Sequence, residues 1–326
     1  GAGGISLGLK AAGYEVLFAS DIDPASAQTH RKNFPDTYFH LGDIRDLDSN
    51  EVLRISGLEP GELDLLIGGP PCQGFSIIGT RQANDERNNL FREFFRIART
   101  LLPKCLVIEN VPGLATMQRG AVLDQILEGL SELGYSASFA ELLAAQYGVP
   151  QMRWRMIFVA FRKDLGIDPR FGFPKPSHGK HNIGALVPNR TIQTEETQGF
   201  VSAKEAIGDL PPVGIGESVK SYSSKPFSSY QVEMRAGLTT QLFNHYAPKL
   251  SIANIKRIEA LEPGHDWRDL PLDLLPESMR RAKRKDHTRR YSRMTWDGIP
   301  RSIITRFRDP KSGEYTHPEQ HRTISI

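Results

Sequence analysis

From Ile5 to about Phe161 short, β-rich apolar runs alternate with stretches of helical periodicity, and that alternation leaves few architectures open. Strands are expected at Glu15 to Ala19, Leu63 to Gly68, Leu106 to Asn110, Ala137 to Leu143 and Arg155 to Phe161. Helices are expected at Ser6 to Ala12, Ala25 to Asn33, Leu90 to Leu102 and Val122 to Leu133, the last stopped by Gly134. The pattern is that of an α/β domain built on βαβ units. The last two strands flank Tyr147-Gly148-Val149-Pro150, a turn that suits an antiparallel pair.

After Arg162 clean periodicity is lost among prolines, glycines and polar residues, so a second, irregular domain is expected. Within it only Leu250 to Leu261 reads as a convincing helix. With 326 residues, 39% of them hydrophobic, the chain is long enough for one large core or two modest ones, which excludes disorder as its main state. No apolar run approaches the roughly 18 residues of a membrane span, so a soluble protein is expected. Cys72 and Cys105 are the only cysteines, too few for a disulfide framework, and a reducing, cytoplasmic setting follows. The net charge is +3, yet Arg280, Arg281, Lys283, Arg284, Lys285, Arg289, Arg290 and Arg293 crowd one short stretch against Asp286. Such a run suits phosphate-bearing partners, although a solvated face with no partner has the same composition.

The candidate chemistry lies where strands end. The Gly1-Ala2-Gly3-Gly4 loop opens a helix and Asp21 closes the next strand, which lets backbone N–H groups approach a nucleotide-like ligand while a carboxylate takes ribose hydroxyls. Asp43-Ile44 follows Leu41-Gly42 in a loop, where Asp43 could bind an adenine amine or simply cap a helix. In Gly68-Gly69-Pro70-Pro71-Cys72-Gln73-Gly74-Phe75-Ser76 a strand runs straight into prolines that hold Cys72 in a loop, a placement that favours a nucleophile over a packing residue. Cys105 enters the run Leu106-Val107-Ile108 and reads as core. Glu109 ends that strand at the same carboxyl edge as Cys72, and Arg153 and Arg155 flank Trp154 at the period of a strand. These residues leave three readings open: a transferase with a cysteine nucleophile, a nicotinamide-type oxidoreductase on the same fold, and a nucleic-acid-binding module without catalysis.

Taken in order, Gly1-Ala2-Gly3-Gly4, Asp21, Asp43-Ile44, Pro70-Pro71-Cys72-Gln73-Gly74, Glu109-Asn110-Val111 and Gln151-Met152-Arg153-Trp154-Arg155 strongly resemble the motifs of the DNA (cytosine-5)-methyltransferase family, of the bacterial restriction-modification type. The likeness spans residues 1 to about 161 and resumes at His321-Arg322-Thr323-Ile324-Ser325-Ile326. It implies a class I S-adenosylmethionine-dependent, Rossmann-like α/β domain over residues 1–164, an irregular target recognition domain over 165–315, and the start of a return segment over 316–326. It implies that Cys72 attacks C6 of a cytosine flipped out of double-stranded DNA, with Glu109, Arg153 and Arg155 holding the base. Gly1, Gly3, Gly4, Asp21, Ile22, Asp43, Ile44 and Pro70 are then expected at S-adenosylmethionine, which leaves as S-adenosylhomocysteine, with no metal. Gln73, Ser76, Asn110, Arg289, Arg290 and Arg293 are expected at the nucleic acid. The resemblance further implies a cytoplasmic, nucleoid-associated monomer functionally paired with a restriction endonuclease. The family's first strand, before Gly1, and its last motif, after Ile326, are not in the chain, so a piece of a longer protein is expected, with donor binding the property most affected. A tRNA cytosine-5 methyltransferase and a catalytically incompetent DNA-binding fragment are the alternatives.

Overall fold

The computed structural model describes residues 1–71, 90–179, 198–237, 240–280 and 289–325, and these form two compact units. The first takes in Gly1–Leu142 and Trp154–Lys175. Its chain runs α1 (Gly4–Ala11), β1 (Phe18–Asp21), α2 (Pro24–Asn33), β2 (Tyr38–Leu41), α3 (Ser49–Ser56), β3 (Leu65–Gly68), α4 (Leu90–Leu101), β4 (Cys105–Asn110), α5 (Ala121–Glu132), β5 (Tyr135–Leu143) and β6 (Trp154–Arg162). Local chemistry sets the helix starts. The Asp23 carboxylate accepts from the Ala25 and Ser26 N–H groups with Pro24 at the first helical position, and Asp48 accepts from Asn50. Gly134, at φ 87°, follows α5 as anticipated, because only the left-handed region reverses the chain there cheaply.

β1 pairs parallel with β2; β3 pairs parallel with β4, which pairs antiparallel with β6, and β5 lies on the far side of β6. Along α4 the buried residues Phe91, Phe94, Ile97, Ala98 and Leu101 form one apolar stripe, and Val122, Ile126 and Leu130 do the same on α5. Phe91, Phe94 and Ala98 of the first stripe and all of the second pack on Leu106, Ile108, Met156, Phe158 and Ala160 of the sheet, while Ile97 and Leu101 pack with Leu47 and Val52. Its other face meets Ala140, Val159 and Phe173, with Cys105 half-buried among them. Burial pushes the Cys105 thiol up to about 11, and the residue serves as packing.

Three elements of the first unit depart from the sequence reading. β2 and α3 were not anticipated, and β1 begins three residues later than Glu15. The regular ladder starts only at Phe18↔Tyr38, while Val16 and Leu17 make single contacts, to the Thr37 hydroxyl and the Tyr38 N–H.

The described part of the second unit comprises Leu143–Arg153, residues 176–179 and the chain from 198 onward. It holds α6 (Ala203–Ile207), α7 (Ser229–Met234), α8 (Ile252–Glu259), α9 (Glu277–Arg280) and the parallel pair β7 (Ser292–Arg293) and β8 (Glu314–Thr316). Its core is built from Leu261, Trp267, Leu270, Leu275, Met279 and Tyr291. The helix expected at Leu250 to Leu261 is α8, shorter at both ends. α6 and α7 are too short to show a period, yet each opens on a reciprocal capping box, Ser202 with Glu205 and Ser228 with Gln231.

Candidate active site and donor pocket

β3 and β4 run parallel with Gly68 opposite Ile108, so the residues that follow, Gly69, Pro70 and Pro71, leave the sheet beside Glu109 and Asn110. Alternation along β4 buries Leu106, Ile108 and Asn110 and leaves Glu109 half-exposed. Across the antiparallel ladder Glu109 faces Ile157, and Arg155 stands two residues away on the same face of β6, the diagonal position from which a long side chain reaches over. Arg155 Nε donates to Glu109 Oε1 at 2.5 Å, and Arg155 Nη1 donates to the Trp154 carbonyl. A Cβ on Gly69 would stand 3.2 Å from Glu109 Oε2, and one on Gly68 3.0 Å from the Phe94 ring, so two glycines let the strand end pass this close to the carboxylate.

Asn110 was expected at the nucleic acid, and the structure places it elsewhere. Its side chain is buried, donates to the Pro70 carbonyl at 2.9 Å and accepts from the Val111 N–H at 2.9 Å. It therefore fastens the strand end that leads to Cys72. Cys72, Gln73 and Ser76 lie outside the described residues. Arg153, in the second unit, precedes β6, and its Nη1 donates to Ser302 Oγ at 3.0 Å. Gln151 Oε1 accepts from the Ile303 N–H, and the Met152 N–H donates to the Pro300 carbonyl, so the run 151–153 is stitched residue by residue to 300–303.

The remaining candidates of the first unit surround a cavity of 1410 Å³ lined by β1 on one side and β3 on the other. Gly1, Gly3, Gly4, Asp21, Ile22, Asp43, Ile44 and Pro70 all contribute to its wall. Gly3 enters α1 at φ 111°, and a side chain there would collide with the Phe34 ring. Gly1 and Gly4 have open space where a Cβ would be. The Asp21 carboxylate accepts from the Asp23 N–H and from the Gly1 amino group. Asp43 accepts two hydrogen bonds from the Arg45 guanidinium and one from the Arg45 N–H, which bring its carboxyl down to about 2. Ile22 is an apolar side chain at the cavity wall, 66% exposed. His30, buried and also on the wall, bonds Ser6 Oγ through Nε2 and leaves Nδ1 without a partner. Sequence reasoning did not single out Gly69 or His30; a Gly-Gly pair ahead of Pro-Pro was the available signal for the first.

The basic stretch needs correction at Arg293. Arg293 was expected on a phosphate-binding surface, but it is buried, and its guanidinium donates to the carbonyls of Ile258, Leu261, His317 and Pro318. Tyr291 and Met294 also face inward. The cause is β7: pairing with β8 turns this run into the unit's core instead of its surface. Arg289 remains exposed and donates to Glu314 Oε2 at 3.0 Å. Residues 281–288 lie outside the described residues. Among the described residues no His, Cys, Asp and Glu group could hold a metal ion, and no helix is long and apolar enough to cross a membrane.

Comparison with known proteins fits this geometry. The sequence profile of the C-5 cytosine-specific DNA methylases matches residues 1–326. The chain is similar to the Type II methyltransferase M.AgeI of Thalassovita gelatinovora, at 34% identity over 272 residues, 81% of this chain and 62% of that protein. It is similar to the Type II methyltransferase M.DdeI of Desulfomicrobium norvegicum at 36% identity, again over 81% of this chain and 60% of the relative. The chain thus spans about three fifths of the length of these relatives. A solved E. coli structure, described as a prophage-encoded DNA modification methyltransferase, covers 100% of this chain and 83% of its own at a TM-score of 0.70 and 23% identity, which identifies the fold as the expected class I methyltransferase type. A profile match from the first residue to the last makes the chain a member of the C-5 cytosine-specific DNA methylase family.

Proposed function

We propose that this protein transfers a methyl group from S-adenosylmethionine to C5 of a flipped-out cytosine in a specific double-stranded DNA sequence, through a covalent bond between Cys72 and C6. The observation that carries the reading is the juxtaposition at the end of β3, where the backbone running into Cys72 passes against a Glu109 carboxylate held by Arg155.

Cytosine C5 is a weak nucleophile. Addition of the Cys72 thiolate to C6 forms an S–C bond and, with a hydrogen-bonding partner at N3, gives C5 enamine character. Glu109 suits that role by delivering a proton to N3 as the thiolate adds and by accepting from the neighbouring exocyclic amine, with Arg155 orienting the group through Oε1 and Oε2 lying toward Gly69. Once C5 is methylated, a base takes the C5 proton and the S–C6 bond breaks, returning the thiolate. Duplex stacking hides both carbons, so the base must leave the stack first. Asn110 acts one step back, by pinning Pro70. Arg153 serves at the flipped nucleotide.

The cavity residues fit a nucleoside donor: Asp21 for ribose hydroxyls, Asp43 for an adenine amine, Ile22 and Ile44 for the ring faces, and the Gly1–Gly4 backbone for close approach. S-adenosylmethionine supplies the electrophilic methyl group and departs as S-adenosylhomocysteine. The same reading assigns residues 1–164 to catalysis, 165–315 to target recognition and 316–326 to the return into the catalytic domain. It has double-stranded DNA as partner, Arg289 and Arg290 at its phosphates and Gln73 and Ser76 at the flipped base. It makes the protein a cytoplasmic monomer paired with a restriction endonuclease, as the Type II names of its relatives suggest.

The test incubates the full-length protein with S-adenosylmethionine and duplexes carrying 5-fluorocytosine in many sequence contexts, followed by a denaturing gel and mass mapping. An adduct at Cys72, absent from Cys72→Ser while that variant still binds DNA, is expected. No adduct in any duplex context, or an adduct that survives Cys72→Ser, overturns the assignment; adducts confined to an RNA substrate favour the tRNA reading.

A further inference from the structure

Arg96 is not among the residues that line the cavity, yet its guanidinium is divided among three elements. Nε donates to Glu93 Oε2 at 2.6 Å, three residues back on α4. Nη1 donates at 2.9 Å to Ser49 Oγ, a buried hydroxyl at the first residue of α3. Nη2 donates at 3.0 Å to the backbone carbonyl of Ile44, in the loop between β2 and α3. The Ile44 side chain packs on the cluster of Leu47, Val52, Ile97 and Leu101, so this residue is fixed from both its backbone and its side chain. Its neighbour Asp43 is turned by Arg45, and both Asp43 and Ile44 face the cavity.

We infer that Arg96 is a positioning residue of the adenine subsite: its three-way fork fixes the backbone at Ile44 and so decides where Asp43 and Ile44 meet the base. The inference rests on the reading that Asp43 and Ile44 hold the donor's adenine. Its physical ground is the geometry of the side chain. A partly buried i,i+3 ion pair between Arg96 and Glu93, still open to water on one side, contributes little to folding by itself. A rigid planar fork with donors aimed at three elements, however, sets a loop's position in a way that the single ammonium of a lysine cannot. Arg96 thus acts on ligand recognition through Ile44 without touching the ligand.

The experiment titrates the full-length protein calorimetrically with S-adenosylhomocysteine and with S-inosylhomocysteine, which lacks the adenine amine. The wild type is expected to prefer the adenine ligand by about tenfold, the worth of a good hydrogen bond to a charged group. In Arg96→Lys that preference collapses toward unity, chiefly through loss of the adenine ligand, while affinity for duplex DNA without cofactor stays at the wild-type value. Ser49→Ala, which removes only the Nη1 partner, shifts the preference part of the way and serves if the Lys variant does not fold. A merely structural role weakens both ligands equally; that result, or an unchanged preference in folded Arg96→Lys, overturns the inference. The underlying subsite reading fails separately, if the wild type binds neither ligand or if Asp43→Ala leaves the preference intact.

Discussion

A methyl group at Gly69 would stand 3.2 Å from Glu109 Oε2, inside the range that only a few real Cβ contacts reach. Neither partner has slack to give: Arg155 holds Glu109, and Asn110 holds the carbonyl of Pro70. Gly69→Ala is therefore expected to cost about 1 kcal/mol of stability but at least about tenfold in single-turnover methyl transfer, because sub-ångström displacement at a reacting group is expensive. Wild-type turnover in the alanine variant would show that Glu109 tolerates the shift. Asn110→Ala leaves the Pro70 carbonyl and the Val111 N–H without their partner and is expected to lower unfolding free energy by about 1–3 kcal/mol in denaturant titrations. Asn110 also shows why its role escaped the sequence reading. The resemblance implied a contact to the nucleic acid, whereas in the folded strand burial alternates and puts position 110 on the inner face with Leu106 and Ile108.

At the level of elements, what could be read depended on length and pattern. α4 and α5 have three turns and uninterrupted apolar stripes, and β4 opens on the continuous apolar run Cys105 to Ile108, so their places were visible. β2 is four residues long with a single buried side chain, Phe39, and its existence depends on a parallel partner that no local pattern announces. The place of Glu109 at a strand end and of the cavity-wall glycines and aspartates was legible because ends of strands and special residues mark them. The inward turn of Arg293 was not, because it is set by the pairing of β7 with β8. That pairing leads into a segment tied down by buried histidines. His317 Nδ1 accepts from the Glu319 and Gln320 N–H groups, and His245 bridges the Pro211 carbonyl and Ser325 Oγ. Burial, reinforced by Arg322, Arg293 and His245, brings His317 from an ordinary 6.5 down to about 3, and burial lowers His245 too. The unfolded chain takes up the His317 proton near 6.5 while the folded chain refuses it until about 3, so this contribution to stability is complete above 6.5 and is lost as the pH falls. At pH 5 the loss from His317 is about 2 kcal/mol. Unfolding free energies from urea titrations at pH 7.5 and 5 should differ by at least that amount in the wild type and by clearly less in His317→Gln; an equal difference in the two proteins would remove His317 as the cause.

For the whole molecule the relevant quantity is how much of its positive charge is available to phosphates, and a net charge of +3 says little about that. Arg293 is withdrawn into the core, and Arg289 shares the carboxylate of Glu314 with Arg301, at 3.0 and 3.7 Å. Each phosphate neutralised by a cation releases condensed counterions and steepens the salt dependence of binding by about 0.9 per contact. A cation already satisfied by a protein carboxylate delivers less than that full step. Arg289→Ala is accordingly expected to weaken duplex binding uniformly across sequences while lowering the salt slope by less than about one. Glu314→Gln should do the reverse: with Arg289 and Arg301 both released, affinity rises at low salt and the slope steepens by up to about two. Fluorescence anisotropy of duplexes at several salt concentrations measures both. If the Gln variant binds with wild-type affinity and slope, Arg289 and Arg301 do not face the duplex, and the phosphate surface must be sought elsewhere in the second unit.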